Sequence, residues 1–283
     1  MKTILAHLEI SPVLGSVLQC ALLAGRRFDS YIEGLHMRPG QPDVIAAGAD
    51  GFVAAAPDLV AGFEREAKER AEKARETFEA FMREHELPRF SEGRTGLSAD
   101  WRVELSSGQS ALGSLGRVFD LVVVGRPLRD SIAPSMASLE AALFETGRPL
   151  LIAPPKAPTQ LGEHPVIAWN GSTETARTVA FAMPFLRTAT KVTVLSVEKG
   201  LVSGPSAAEL ARNLVRNGID CDWREAPCGE RSVGQAMVEE AMQLGCDLLV
   251  KGAYTQSRLR QMIFGGATSH ILAEAEIPVL MAH

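Results

Sequence analysis

The sequence predicts an α/β protein made of two tandem, doubly wound domains, each built on a five-stranded parallel sheet. Three observations support this prediction: the chain repeats itself, apolar strand-like segments alternate with helical segments, and a proline-rich polar stretch separates the repeats. The 283 residues are enough for two domains of ordinary size. We place the first domain at residues 1–155 and the second at residues 164–283, called here the first half and the second half, with the boundary at residues 153–164.

Four segments of the first half recur in the same order in the second half. The pairs are TILAHLE with PVIAWNG, ADWRVELSSG with CDWREAPCGE, FDLVVVG with CDLLVKG, and ETGRPLLIAP with EAEIPVLMAH. Four ordered matches indicate an internal duplication.

The second half shows the pattern most clearly. We expect strands at 166–169, 192–197, 219–225, 248–250 and 279–281, and helices at 172–186, 206–217, 233–244 and 268–276. Ser172 is a suitable cap for the first of these helices, and Pro184 is expected to kink or end it. Apolar strands alternating with helices predict a parallel sheet covered on both faces, with ligands beyond the carboxyl ends of the strands.

The first half follows the same plan with two additions. Residues 63–87 form a long charged segment typical of a solvated helix. Residues 38–62 form an insertion rich in alanine, glycine and proline, for which a lid, a contact surface and an irregular packed loop are all open. Trp101 and Trp223 recur at equivalent strand positions, where we expect packing in the core or between the halves.

Composition and charge exclude several classes of function. The formal net charge of −5 argues against a nucleic acid partner. The apolar segment near the amino terminus is interrupted by His7 and Glu9 and is too short to span a bilayer, and no other membrane segment is predicted. We therefore expect a cytoplasmic protein.

Cysteines and histidines give no metal pattern. The four cysteines form no C-x-x-C pair, so we expect reduced and mostly buried thiols, with Cys228 alone in a polar loop. The six histidines are scattered, and His7 and His36 fall in predicted strands as hydrogen-bonded core residues.

Glycines flank the last loop of the second half. Gly252 ends the fourth strand, where a residue without Cβ allows a sharp turn and a close ligand. Gly265 and Gly266 precede the last helix, whose free N–H groups and dipole favour an anion. Thr268 adds a hydroxyl to that anion site or caps the helix.

These motifs resemble a tandem universal stress protein of the UspA type, a Rossmann-like fold, over essentially the whole chain. Nucleotide-binding members carry Gly-x₂-Gly-x₉-Gly-Ser/Thr in this loop and an aspartate after the first strand. Here the first and third glycines are Gly252 and Gly265. The second glycine is replaced by Thr255, the Ser/Thr by Gly266 and the aspartate by Asn170.

The resemblance implies an adenine nucleotide, ATP with Mg²⁺, bound in the second half. The candidate binding residues are Asn170, Gly171, Ser172, Val197, Gly252, Thr255, Gly265, Gly266 and Thr268. In the first half Gly125 matches Gly252, but Leu8 stands at the aspartate position and no glycine pair follows. We therefore expect that half to bind no nucleotide in this way and to pack on the second half.

Three hypotheses remain open from the sequence. The first is a nucleotide-responsive stress or regulatory protein whose occupancy changes its choice of a regulatory protein partner. The second is a scaffold of the same fold that binds no nucleotide and acts through protein–protein contacts. The third is an enzyme with at most slow ATP hydrolysis, which ranks last because no residue is visibly placed as a general base. Both a lone intramolecular pair of halves and a further homodimer are consistent with the sequence.

Overall fold

The fold was analysed in a computed structural model. It describes residues 1–39, 46–48, 51–53, 57–93, 95–106, 110–128, 131–253, 270–271 and 273–283. The strands are β1 Thr3–His7, β2 Tyr31–Pro39, β3 Ala46–Gly48, β4 Gly51–Val53, β5 Ser98–Ser106, β6 Leu121–Gly125, β7 Leu150–Ala153, β8 Pro165–Ala168, β9 Val192–Val197, β10 Cys221–Ala226, β11 Leu248–Gly252 and β12 Val279–Ala282. The helices are α1 Leu14–Phe28, α2 Pro57–Glu84, α3 Ser110–Gly116, α4 Met136–Glu145, α5 Thr173–Thr188, α6 Ala207–Arg216 and α7 Val233–Gln243. A final helix contributes the helical residues 270–271 and 273–274.

Ten strands form one sheet in the order β10-β9-β8-β11-β12-β7-β6-β1-β2-β5. Within each half all pairs are parallel, whereas β12 and β7 pair antiparallel at the centre. Each half therefore has its first and fourth strands adjacent, and the second half repeats the first in reverse order across the sheet. The four repeated sequence segments fall on equivalent strands, so the doubly wound α/β prediction is confirmed.

Serine caps set the start of the helices in the second half. The hydroxyls of Ser172, Ser206 and Ser232 each accept a hydrogen bond from the backbone N–H three residues later, at 3.2, 3.2 and 3.1 Å. At α6 the carboxylate of Glu209 in turn accepts a hydrogen bond from the backbone N–H of Ser206. Such caps satisfy N–H groups that have no partner inside the helix.

Two apolar cores cover the two faces of the sheet. Along β1, Ile4 and Ala6 belong to one core and Leu5 to the other, as expected for side chains that alternate between the faces of a strand. Both cores contain residues of both halves. The central strands are buried on both faces, which explains their continuous apolar sequences, whereas the edge strands β5 and β10 are partly exposed.

Side chains also join the halves outside the sheet. The rings of Phe28 and Phe185 meet edge to face with centroids 4.8 Å apart. Arg27 forms an ion pair with Glu163 and donates to the carbonyl of Thr188 at 3.0 Å. These contacts tie the end of α1 to the end of α5.

The described residues of the insertion at 38–62 contain regular secondary structure, which disfavours the irregular loop among the three alternatives. Strand β2 extends to Pro39, β3 and β4 form an antiparallel hairpin, and α2 begins at Pro57 rather than at residue 63. Proline suits the first position of a helix because its missing N–H would have no partner there. Alanine-rich sequence without clear periodicity concealed both elements.

Helix α5 continues past Pro184 to Thr188, so of the two predicted effects of this proline, a kink or an end of the helix, the end was wrong. Phe185 and Leu186 are buried beyond the proline. Their packing outweighs the loss of one backbone hydrogen bond. The hydroxyl of Thr188 donates to the carbonyl of Pro184 at 3.2 Å in the last turn.

The prediction that the repeated tryptophans pack in the core is confirmed for Trp101, which packs against the core beside Phe78, and was wrong for Trp223. They lie on β5 and β10, the two outermost strands of the sheet. Trp101 is half-buried and stacks on His36, but Trp223 is 50% exposed. The two tryptophans do occupy equivalent positions on equivalent strands. The sequence did not reveal that both strands lie at the edges of the sheet.

Of the four cysteines, three are buried and Cys221 is partly exposed. All four are free thiols, as predicted. Cys228 is one of the buried three, and its thiol donates to the carbonyl of Arg231 at 2.9 Å. Cys228 lies in the loop between β10 and α7, as predicted, but its side chain is buried there.

Candidate functional site

The sheet order of the second half reverses direction between β8 and β11. Chain connections leave these neighbouring strands toward opposite faces, which opens a crevice beyond their carboxyl ends. Asn170 follows β8, and Gly252 is the last residue of β11. The topology thus brings these two predicted site residues to the same end of the sheet.

Asn170 has a local structural task. Its Oδ1 accepts hydrogen bonds from the hydroxyl of Thr175 at 2.7 Å and from the backbone N–H of Ser172 at 3.2 Å. Ser172 itself is buried as the cap of α5. The oxygen of Asn170 is therefore occupied, whereas its amide NH₂ keeps two donors. Ser172 serves the helix start rather than the cleft.

Gly171 lies in a tight turn against the segment after β9. Its φ is +82°, and a Cβ there would lie 3.1 Å from the carbonyl oxygen of Val202. Two hydrogen bonds hold this segment in place. The backbone N–H of Val202 donates to the carbonyl of Asn170 at 2.9 Å, and Nε1 of Trp169 donates to the carbonyl of Pro205 at 2.8 Å. Gly171 is required by backbone conformation and packing.

Gly252 packs on the first turn of α5. A Cβ at Gly252 would lie 2.4 Å from the backbone nitrogen of Thr175 and 2.7 Å from the carbonyl carbon of Glu174. The sequence suggested that glycine permits a close ligand at this position. Contact between strand and helix already explains the glycine.

A small cleft of about 50 Å³, partly open to solvent, lies at this end of the second half. Its walls are mainly apolar and come from β8, β9, α7, β11 and the final helix. The described lining residues are Ala168, Trp169, Asn170, Val197, Gly200, Val233, Met237, Lys251 and Ile271. Apolar walls with few polar groups are typical of small-molecule sites. Of the predicted site residues, the cleft contains Asn170 and Val197.

Lys251 is a lining residue that sequence reasoning missed. Its Nζ donates to the carbonyl of Gly252 at 2.9 Å. Burial lowers the pKa of Lys251 to about 8, because the apolar surroundings disfavour the charged form. A lysine within the otherwise apolar strand sequence LLVKG was the signal that could have revealed it.

Four predicted site residues lie outside the described part of the chain. They are Thr255, Gly265, Gly266 and Thr268. Their assignment to a phosphate site remains a prediction from the sequence.

The corresponding place in the first half is filled by the chain itself. The carboxylate of Glu9 accepts hydrogen bonds from Ser135 N–H, at 3.3 and 3.4 Å to its two oxygens, and from the hydroxyl of Ser138 at 3.2 Å. An anion thus already occupies the start of α4. A Cβ on Gly125 would meet Pro134 at 2.5 Å and Val13 at 2.6 Å.

His7, beside Glu9, is not the hydrogen-bonded core residue that we predicted. It is 2% exposed, neither ring nitrogen has a hydrogen-bond partner, and its Nδ1 lies 3.6 Å from Glu9 Oε2. His36 does match the prediction, with Nδ1 2.7 Å from the carbonyl oxygen of Leu8. Burial, and then the charge of His36, lower the pKa of His7 to about 3.

His7 predicts a loss of stability in mild acid. The unfolded chain takes up a proton at His7 near the ordinary pKa of 6.5, whereas the folded chain does so only near 3. Stability should therefore fall as the pH drops below 6.5, by about 1.4 kcal/mol per pH unit from His7. Urea unfolding at pH 7, 6 and 5 measures this slope, and His7→Leu should reduce it. Equal slopes for the two proteins would contradict the assignment.

The described residues contain no cluster of three or more His, Cys, Asp or Glu residues able to hold a metal ion. No helix there is both long and apolar enough to cross a membrane.

Comparison with known proteins agrees with this architecture. Residues 227–283 match the Universal stress protein family. The last 57 residues of the second half are therefore similar to this family. Stress response protein NhaX of Bacillus subtilis (strain 168) is 33% identical over 52 residues, which are 18% of this chain and 31% of NhaX. The resemblance predicted from the sequence motifs is thus confirmed.

Solved structures extend the agreement in fold to both halves. A universal stress protein from Archaeoglobus fulgidus DSM 4304 aligns with a TM-score of 0.68 at 12% identity, covering 99% of this chain and 95% of that chain. Protein PA1789 of Pseudomonas aeruginosa PAO1 aligns with a TM-score of 0.56 at 14% identity, covering 100% and 92%. At such identities the likeness establishes the universal stress protein fold and not a ligand.

Proposed function

We propose that this universal stress protein is a nucleotide-responsive regulatory protein that binds ATP, with Mg²⁺, in the cleft of the second half. The supporting observation is the position of the cleft at the switch point between β8 and β11, where doubly wound sheets bind ligands. In this proposal the adenine ring contacts the apolar side chains of Val197, Val233 and Ile271. The NH₂ group of Asn170 supplies a donor for a ring nitrogen or a ribose oxygen.

Phosphate binding in this proposal relies on the loop sequence. Gly265 and Gly266 precede the predicted final helix. The amino-terminal end of a helix that follows glycines binds anions through its free N–H groups. The role of Thr255 and Thr268 belongs to the same proposal. The first half is proposed to bind no nucleotide, since Glu9 holds the start of α4 and Pro134 packs against Gly125.

Binding that changes the protein's partners is proposed in preference to catalysis, with at most slow ATP hydrolysis. The domain boundaries at residues 1–155 and 164–283, a cytoplasmic location and a homodimer are likewise proposals. The antiparallel pairing of β7 with β12 supports the domain division. It is the junction between two five-stranded parallel halves of the sheet that have the same strand topology.

A second candidate is a scaffold of the same fold that binds no nucleotide. Hydrogen bonds or close packing explain the presence of Asn170, Gly171, Ser172 and Gly252 without a ligand. Strand β5 is at the sheet edge and exposes Val103 and Leu105, by 47% and 68%. An exposed edge with apolar side chains is suited to a protein partner.

Filling the cleft tests the choice between these two functions. Val233 begins α7 and is half-buried at the cleft wall. We expect Val233→Trp to weaken ATP binding by about tenfold or more, since about 1.4 kcal/mol of lost contact gives that factor. Calorimetric titration of ATP with Mg²⁺ is the measurement.

The matched control is Val215→Trp, because Val215 is exposed on α6 and does not line the cleft. It should bind ATP as wild type does. Absence of ATP binding by wild type at millimolar concentration would favour the scaffold, and equal binding by all three proteins would move the site elsewhere.

A further inference from the structure

Lys251 places a half-buried amine beside an apolar cleft. Among the described lining residues it is the one charged side chain, and the other polar side chain is the amide of Asn170. No carboxylate of the described residues forms an ion pair with it, and one bond to the carbonyl of Gly252 uses one of its three donors. Two donors are left without a described partner.

An ammonium group in such surroundings costs free energy unless an anion or several acceptors compensate it. Its neighbours offer none. On β12 the residue in register is Met281, and α7 presents Val233 and Met237. An anionic ligand in the cleft would supply the missing charge, so the position favours an anion over a neutral molecule.

We propose that Lys251 is a specificity residue that binds the phosphate chain of the ligand, so that the cleft takes nucleotides in preference to nucleosides. This inference rests on the proposed function of the cleft and adds to it the group that distinguishes charged from neutral ligands.

The test compares ATP, adenosine and inorganic tripolyphosphate by calorimetry on wild type, Lys251→Met and Lys251→Arg. Methionine keeps an apolar stem of similar size and removes the charge. For Lys251→Met we expect ATP and tripolyphosphate to bind about tenfold to a hundredfold more weakly, as for loss of a charge-assisted hydrogen bond. Adenosine should change less than about twofold, and Lys251→Arg should retain part of the ATP affinity.

The pH dependence gives a second readout. The lining residues that face Lys251 from β8, β12 and α7 carry no titratable group, so an affinity for tripolyphosphate that falls above pH 8 in wild type and not in Lys251→Met would report the amine itself. Thermal unfolding of each variant verifies folding.

The outcomes separate the two claims. ATP binding that is equal in wild type and folded Lys251→Met overturns the role of Lys251 and leaves the nucleotide proposal standing. Tripolyphosphate binding that depends on Lys251, without ATP binding, supports Lys251 and overturns the nucleotide. Equal weakening of ATP and adenosine marks Lys251 as structural and overturns its specificity role. No binding of any of the three ligands overturns both.

Discussion

Replacing Phe185 with alanine is expected to lower the free energy of unfolding by about 3–5 kcal/mol, the range for buried aromatic truncations. Phe185 is completely buried on α5 and meets the ring of Phe28, from the first half, edge to face. The stretch between the halves, residues 153–164, also packs against Phe185, since a Cβ on Gly162 would lie 2.9 Å from the Phe185 ring. Alanine would leave a cavity where α1, α5 and the linker meet.

Chemical denaturation of wild type and Phe185→Ala measures this loss. Phe63→Ala is the matched control, because Phe63 is 55% exposed on α2 and should cost less than about 1 kcal/mol. If Phe185→Ala unfolded within 1 kcal/mol of wild type, the contact between the halves would not contribute as described.

Adding a single methyl group at Gly252 is expected to destabilise the protein by about 3 kcal/mol, toward the upper end for overpacking. The new Cβ would lie 2.4 Å from the backbone nitrogen of Thr175. Backbone atoms cannot rotate away as a side chain can, so α5 must move from β11. That movement would also displace Asn170 at the start of α5 and weaken any ligand in the cleft.

Gly15→Ala is the control for this substitution. Gly15 lies on α1, and a Cβ there meets no atom within 4 Å. Alanine at that helical position should be neutral or stabilising by up to about 1 kcal/mol. Denaturation midpoints of the two variants should therefore move in different directions. A Gly252→Ala protein as stable as Gly15→Ala would show that strand and helix are not in close contact.

Sequence reasoning predicted the duplicated α/β architecture because the central strands are buried on both faces. Such strands give continuous apolar segments, and three of the four repeated segments contain one. The cap at Ser172 likewise revealed the start of α5. The junction of the halves was beyond this reasoning, since antiparallel pairing of β7 with β12 depends on how two separate sheets meet.

The site was predicted only in part, because one residue type can serve packing and binding equally. Gly252 and Ser172 have the spacing of a ligand site, but their neighbours in space belong to α5. Lys251 was missed for the opposite reason. Its neighbours in sequence are apolar core residues. Its place in the cleft depends on the packing of α7 over one face of β11, which the sequence does not show.

The most direct test of a nucleotide site in the second half is photolabelling with 8-azido-ATP, followed by mass spectrometry of the labelled peptides. We expect the label on peptides that line the cleft, from the ends of β8 and β9 or the start of α7, and we expect excess ATP to remove it. Label on the first half beside Glu9, or label that ATP does not displace, would contradict the proposal.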